Sequence, residues 1–170
     1  GQGPQHPKFK SELASHDDKA WVNWLLNSIT YGVSIGFSGP HTPYISSNLP
    51  SAAQHPHIMT AELAKEVEAG RVLGPFATIP MNTFRSSGLG VIPKKNGKWR
   101  MILHLSAPFG SSANDRIDKD QFPVQYSTVD DAVEMISRYG TGAILAKIDL
   151  RAAFRMVPID TKDWDLLGMQ

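Results

Sequence analysis

The stretch "LGVIPKKNGKWRMILHL", residues 89–105, is the strongest structural signal in the chain. Two apolar runs flank Asn96-Gly97, a pair that tolerates the positive φ of a tight reversal, so these residues predict a β-hairpin with a type I′ turn. Strand side chains alternate, which puts Trp99, Met101, Leu103 and Leu105 on one face and Lys98, Arg100, Ile102 and His104 on the other. "KKNGKWR", 94–100, gathers four of the chain's 17 Lys and Arg at the tip. Such a tip can close on a triphosphate or a nucleic-acid backbone, with Arg100 adding a fork that Lys94 and Lys95 lack. It is equally readable as a solvated turn, since charged edges suppress strand-to-strand aggregation.

Upstream of the hairpin, residues 1–14 are polar with two prolines and read as loose. Ser15 and Asp18 have capping-box spacing before a helix over 16–31, where Trp21, Leu25 and Ile29 recur, with Trp24 and Leu26 widening the stripe. Residues 33–57 are rich in Gly, Pro, Ser and His and read as a connector. His41, His55 and His57 within it share no metal spacing. Thr60 is a candidate cap for a helix over 61–69 with Met59, Leu63 and Val67 on its face and Gly70 as its stop. "RVLGPFATIP", 71–80, reads as irregular or as strand broken by proline.

Downstream, 107–123 reads as a loop. Thr128 and Asp131 form a second capping box, and Val129, Ala132, Val133 and Ile136 make a helix face ending near Gly140. Then comes "ILAKIDLRAAFRMVPI", 144–159. Residues 143–149 read as a buried strand ending on Asp149, with a helical turn through 150–155. An acid at a strand's carboxyl end can hold Mg²⁺ beside phosphates, or can cap the turn that follows. Phe154 can be plain core or the wall of a pocket. A rigid apolar wall at a sugar's 2′ carbon would reject a ribonucleotide. Asp160, Asp163 and Asp165 read as a polar surface segment.

Composition narrows the class. Apolar residues make up 41% of 170, enough for a core, and the net charge of +1 neither requires nor excludes an anionic partner. There is no cysteine, so disulfides and thiolate metal sites are excluded. No apolar run approaches the roughly 20 residues of a membrane span, so no membrane role is expected. The chain opens without methionine and closes on "DWDLLGMQ" with no turn or cap, which leads to the expectation that it is part of a longer polypeptide. The element order is helix, helix, hairpin, loop, helix, strand: an α+β arrangement with helices on a small, mostly antiparallel sheet.

"SSGLGVIPKKNGKWRMILHLS" followed by "ILAKIDLRAAFRMVPI" resembles the fingers motif and the first palm motif of reverse transcriptases, across about 85–160. "HLSAPFGSSAND" and the upstream "GRVLGPF" look most like retrotransposons of the DIRS type, those that use a tyrosine recombinase. The resemblance implies the fingers and partial palm of a right-hand polymerase. Residues 1–57 would be an N-terminal extension, and 58–170 the fingers and first part of the palm. It implies an RNA-directed DNA polymerase taking dNTPs, with an RNA or DNA template and primer as partners. Two Mg²⁺ ions, for which Mn²⁺ can substitute, would serve the intact enzyme. It implies an intracellular setting, cytoplasm or nucleus, and a parent polyprotein with palm, thumb, RNase H and recombinase. By this resemblance Asp149 would be a catalytic metal ligand and Leu150 would supply the adjacent carbonyl. Phe154 would be the sugar gate, and Arg100 with Lys94 or Lys95 would hold the triphosphate. Trp99 would pack beneath the fingers, and His104 and Ser106 inherit no role. The family's Asp-Asp palm motif is missing, so this chain alone is expected to be inactive. The alternative is a non-catalytic nucleic-acid-binding module derived from the same fold.

Overall fold

The computed structural model describes residues 6–121, 123–149 and 153–170. Among them are five α-helices: α1 (His6–Glu12), α2 (Lys19–Tyr31), α3 (Pro50–Gln54), α4 (Pro56–Glu68) and α5 (Val129–Tyr139). The strands are β1 (Tyr44–Ile45), β2 (Arg85–Pro93), β3 (Trp99–His104) and β4 (Gly168–Met169). The chain is thus mixed helix and strand around one small sheet.

β2 organises that sheet. Its outer half pairs antiparallel with β3, from Gly88 opposite His104 to Pro93 opposite Trp99. Its first residues pair parallel with β1 on one side and with β4 on the other. The sheet is therefore mixed, with its longest pairing antiparallel. Leu89 and Val91 point to the same face as Met101 and pack with Ala52 of α3 and Met59 of α4. Ile58, Leu63, Trp99, Leu103 and Met169 surround them. Each such apolar side chain contributes about 1.5–3 kcal/mol on full burial.

Beyond β1 the chain keeps to the edge of β2 without forming a strand. Leu49 N–H donates to Leu89 C=O at 2.8 Å. Leu89 N–H donates to Asn48 Oδ1 at 2.8 Å, and Val91 N–H to Ser51 Oγ at 3.1 Å. Asn48 Nδ2 also donates to Gln170 C=O at 2.7 Å. Gly90 permits this approach: a Cβ there would stand 2.6 Å from Leu49 Cδ1. The expected connector over 33–57 is thus a structured cover containing β1 and α3. Its composition suggested a linker because its partners lie forty residues away in sequence.

Other expectations are corrected locally. Residues 6–12 form α1, which packs on α2. The cap of α2 is Asp18, whose carboxylate accepts Trp21 N–H at 2.8 Å, rather than a Ser15–Asp18 box. Its buried residues are Val22 and Leu26, while Trp21 and Trp24 are exposed. Helix α4 starts at Pro56, whose missing N–H suits a first helical position. Thr60 lies inside α4 and donates its hydroxyl to Pro56 C=O at 3.0 Å. The Met59, Leu63, Val67 face and the Gly70 stop are as expected. Residues 71–80 are irregular, and 107–121 are a loop with 3₁₀ turns at Asn114–Arg116 and Lys119–Gln121.

The capping box of α5 forms in full: Asp131 N–H donates to Thr128 Oγ1, and Thr128 N–H to Asp131 Oδ2. Its apolar face is not core, however. Val129 is 79% exposed and Val133 54%. The expected strand over 143–149 is also absent, and Ile144 and Ile148 are 97% and 87% exposed. That segment pairs with no strand among the described residues, and an unpaired strand leaves its backbone groups without partners.

Candidate functional site

The basic hairpin keeps its strands but not its predicted turn. Lys94 N–H donates to Lys98 C=O at 2.7 Å and Gly97 N–H to Lys94 C=O at 3.1 Å. Lys95, Asn96 and Gly97 therefore make a three-residue loop, with Gly97 at φ 72° as the left-handed bulge residue. A type I′ turn would pair Lys95 with Lys98. The observed register pairs Pro93 with Trp99 and Ile92 with Arg100. Asn96 accepts Lys98 N–H on its Oδ1 at 3.2 Å, which steadies the tip.

This register brings three of the candidate residues together. Lys94, Lys95 and Arg100, with Ile92, Pro93 and Asn96, line an open hollow of about 430 Å³. Among the described residues no carboxylate lines it. Among the described residues none of Lys94, Lys95, Lys98 or Arg100 lies within ion-pair distance of an acid. Uncompensated cations on a shallow surface attract anions, and arginine can grip two phosphate oxygens at once. Below the hollow Trp99 is half-buried against the core with its ring 4.4 Å from that of His55, a packing role.

Asp149 and Phe154 do not line the hairpin hollow. Asp149 is exposed at the end of the irregular 143–149 segment. Leu150 lies outside the described residues. Phe154 stands on a 3₁₀ turn, Ala153–Met156, and is 93% exposed, so it is not core. His104 is exposed, and Ser106 accepts Asn114 Nδ2 on its hydroxyl at 2.8 Å. Among the described residues no group of three His, Asp or Glu side chains could hold a metal ion. A single exposed carboxylate does not fit a two-ion centre, which needs further acids alongside.

Several polar residues that looked unremarkable in the sequence are buried. Asp163 and Asp165, expected at the surface, are 3% and 5% exposed on the 3₁₀ turn Thr161–Leu166. Asp163 accepts Ser34 Oγ–H and Ile35 N–H, both at 2.9 Å. Asp165 lies 2.9 Å from His41 Nδ1. The two acids clip the 33–41 segment down, beside a backbone bridge in which Val33 N–H donates to Pro158 C=O. Arg85 is buried with its guanidinium 4.9 Å from the Tyr44 ring centre, and its Nη2 donates to Ser111 C=O. Asp115 takes both N–H and O–H of Ser112, and that hydroxyl bond holds its carboxyl below the ordinary range.

Glu66 of α4 is also buried. Arg71 Nε donates to its Oε2 at 2.7 Å, and Arg155 Nη1 to its Oε1. Hydrogen bonding from Arg71, reinforced by the charge of Arg155, holds its carboxyl below the ordinary glutamate value against the opposing effect of burial. Its position was visible in the sequence, three residues after Leu63 and seven after Met59. Its partners were not.

No family model, curated protein or solved structure matches this chain. Among the described residues no helix is long and apolar enough to cross a membrane.

Proposed function

We propose that this chain is the fingers and early palm of an RNA-directed DNA polymerase, retroelement-encoded, whose hairpin binds the incoming deoxynucleoside triphosphate. One observation carries the reading: Lys94, Lys95 and Arg100 share one open surface with no acid among the described residues to neutralise them. Three cations around one hollow suit a triphosphate better than a single phosphate. The order of hairpin, capped helix and Asp149 segment supports it. In this reading Arg100 and the lysines neutralise the triphosphate and orient it. Phe154, free of core contacts, is available as the sugar gate. Template, primer and dNTPs are the partners, and an intracellular place of action goes with them. Asp149 is one carboxylate of the set that Mg²⁺ would require, and it does not supply that set alone. The chain by itself is therefore expected to extend no primer; measurable extension would overturn this.

That no group of three His, Asp or Glu side chains could hold a metal among the described residues favours a second reading, a nucleic-acid-binding module that needs no metal. Fluorescent dATP and a single-stranded oligonucleotide, titrated against the chain at several salt concentrations, test both. Arg100→Ala and Lys94→Ala/Lys95→Ala should each weaken triphosphate binding by roughly ten-fold, since a charge-assisted hydrogen bond contributes about 1.5–3 kcal/mol. Unchanged affinity in both variants would remove the hairpin from the site. Binding that Asp149→Ala and Mg²⁺ leave untouched, yet that falls steeply with salt, would favour the module.

A further inference from the structure

Glu66 belongs to neither the hairpin hollow nor the Asp149 segment, yet it is only 7% exposed. A glutamate is rarely buried unless its charge is matched. Of its two arginines, Arg71 is local. It follows five residues later, and its own N–H donates to Glu66 C=O at 3.0 Å, so this pair closes the end of α4. Arg155 is not local. It lies 89 residues away and is the neighbour of Phe154 on the turn Ala153–Met156.

Apart from the backbone bridge to Val33 just after it, that turn has little else to hold it. Phe154 is 93% exposed, Met156 51% and Val157 47%. Among the described residues the bond to Glu66 is the one side-chain hydrogen bond from this turn to another element. The other end of the connection is firm. Helix α4 packs on β3, the strand that carries Arg100, and contributes Met59 to the core.

We propose that Glu66 is a positioning residue: through Arg155 it tethers the Phe154 turn to α4, and so to the strand that bears Arg100. Its functional side rests on the polymerase reading, in which the gate and the triphosphate-binding cations must keep a fixed separation. The tether itself does not depend on that reading. An ion pair suits such a joint because it fixes a distance without burying apolar surface, leaving Phe154 free.

Hydrogen exchange of the whole chain, read by mass spectrometry, separates the two parts. Arg155→Ala should raise exchange over 153–157 about five-fold or more, leaving 85–104 unchanged. Arg155→Lys should restore most of the protection. Arg71→Ala should loosen the end of α4 but not the turn. Unchanged exchange over 153–157 in Arg155→Ala would overturn the tether, as would equal loosening of the hairpin. The binding ratio of dATP to ATP is the second readout, expected to fall toward unity in Arg155→Ala. A loosened turn with an unchanged ratio would keep the tether and sink Phe154 as gate.

Discussion

Glu66 shows how one residue can carry opposite charges of information. In the sequence it is one acid in a helix rich in polar residues; in the fold it is the hub of two ion pairs. Its depressed carboxyl gives a pH prediction with a definite sign. The unfolded chain takes up the proton at higher pH than the folded chain does. The stability from this group is therefore complete above the ordinary glutamate pKa of about 4.3 and is lost as pH falls through the lower folded value. Urea midpoints of wild type and Glu66→Gln should differ at neutral pH and converge below about pH 4. A constant gap down to pH 3 would contradict it. Lys94, Lys95 and Arg100 were legible as a set because a hairpin is a local structure. The burial of Asp163 and Asp165 was not, because it depends on Ser34 and His41 more than 120 residues earlier.

The hairpin and α5 teach different lessons at the level of elements. In the hairpin, faces followed from alternation, and Met101 and Leu103 lie where expected. The turn differed in length: Gly97, at φ 72°, serves as the left-handed bulge residue of a three-residue loop, which fits the observed pairing. A Cβ at Gly97 would meet nothing within 4 Å, so only backbone strain opposes it. Gly97→Ala should accordingly cost about 1 kcal/mol by urea denaturation, while Leu89→Ala, which opens the core, should cost about 2–5 kcal/mol. In α5 the sequence specified the helix and its cap, both set by neighbours within four residues. Whether its apolar face is covered depends on what packs there, and periodicity carries no such information. With Val129 and Val133 exposed, Val129→Ser and Val133→Ser should each shift stability by no more than about 0.5 kcal/mol. A loss of several kcal/mol would mean that the face is buried in solution.

Across the whole molecule, stability is concentrated around β2, and the chemistry proposed for the chain lies at its margins. The hairpin tip, Asp149 and Phe154 all stand where few apolar contacts reach. The mixture of helix and strand could be read in advance from local patterns, although the expected strand over 143–149 is absent and α1, α3, β1 and β4 were not foreseen. The sheet could not, because β1 and β4 are two residues each, and both join β2 from distant parts of the chain. Asn48 is what unites those parts: one amide group serves the backbone of β2 with its oxygen and the residue after β4 with its nitrogen. Fraying at β4 and uncovering of the β2 edge are consequently coupled events. A molecule in which β4 has separated would bare the backbone groups of Ser86 and Ser87 on β2 to a neighbouring strand. Loosening of this two-residue pairing would thus open a route to self-association through the bared edge.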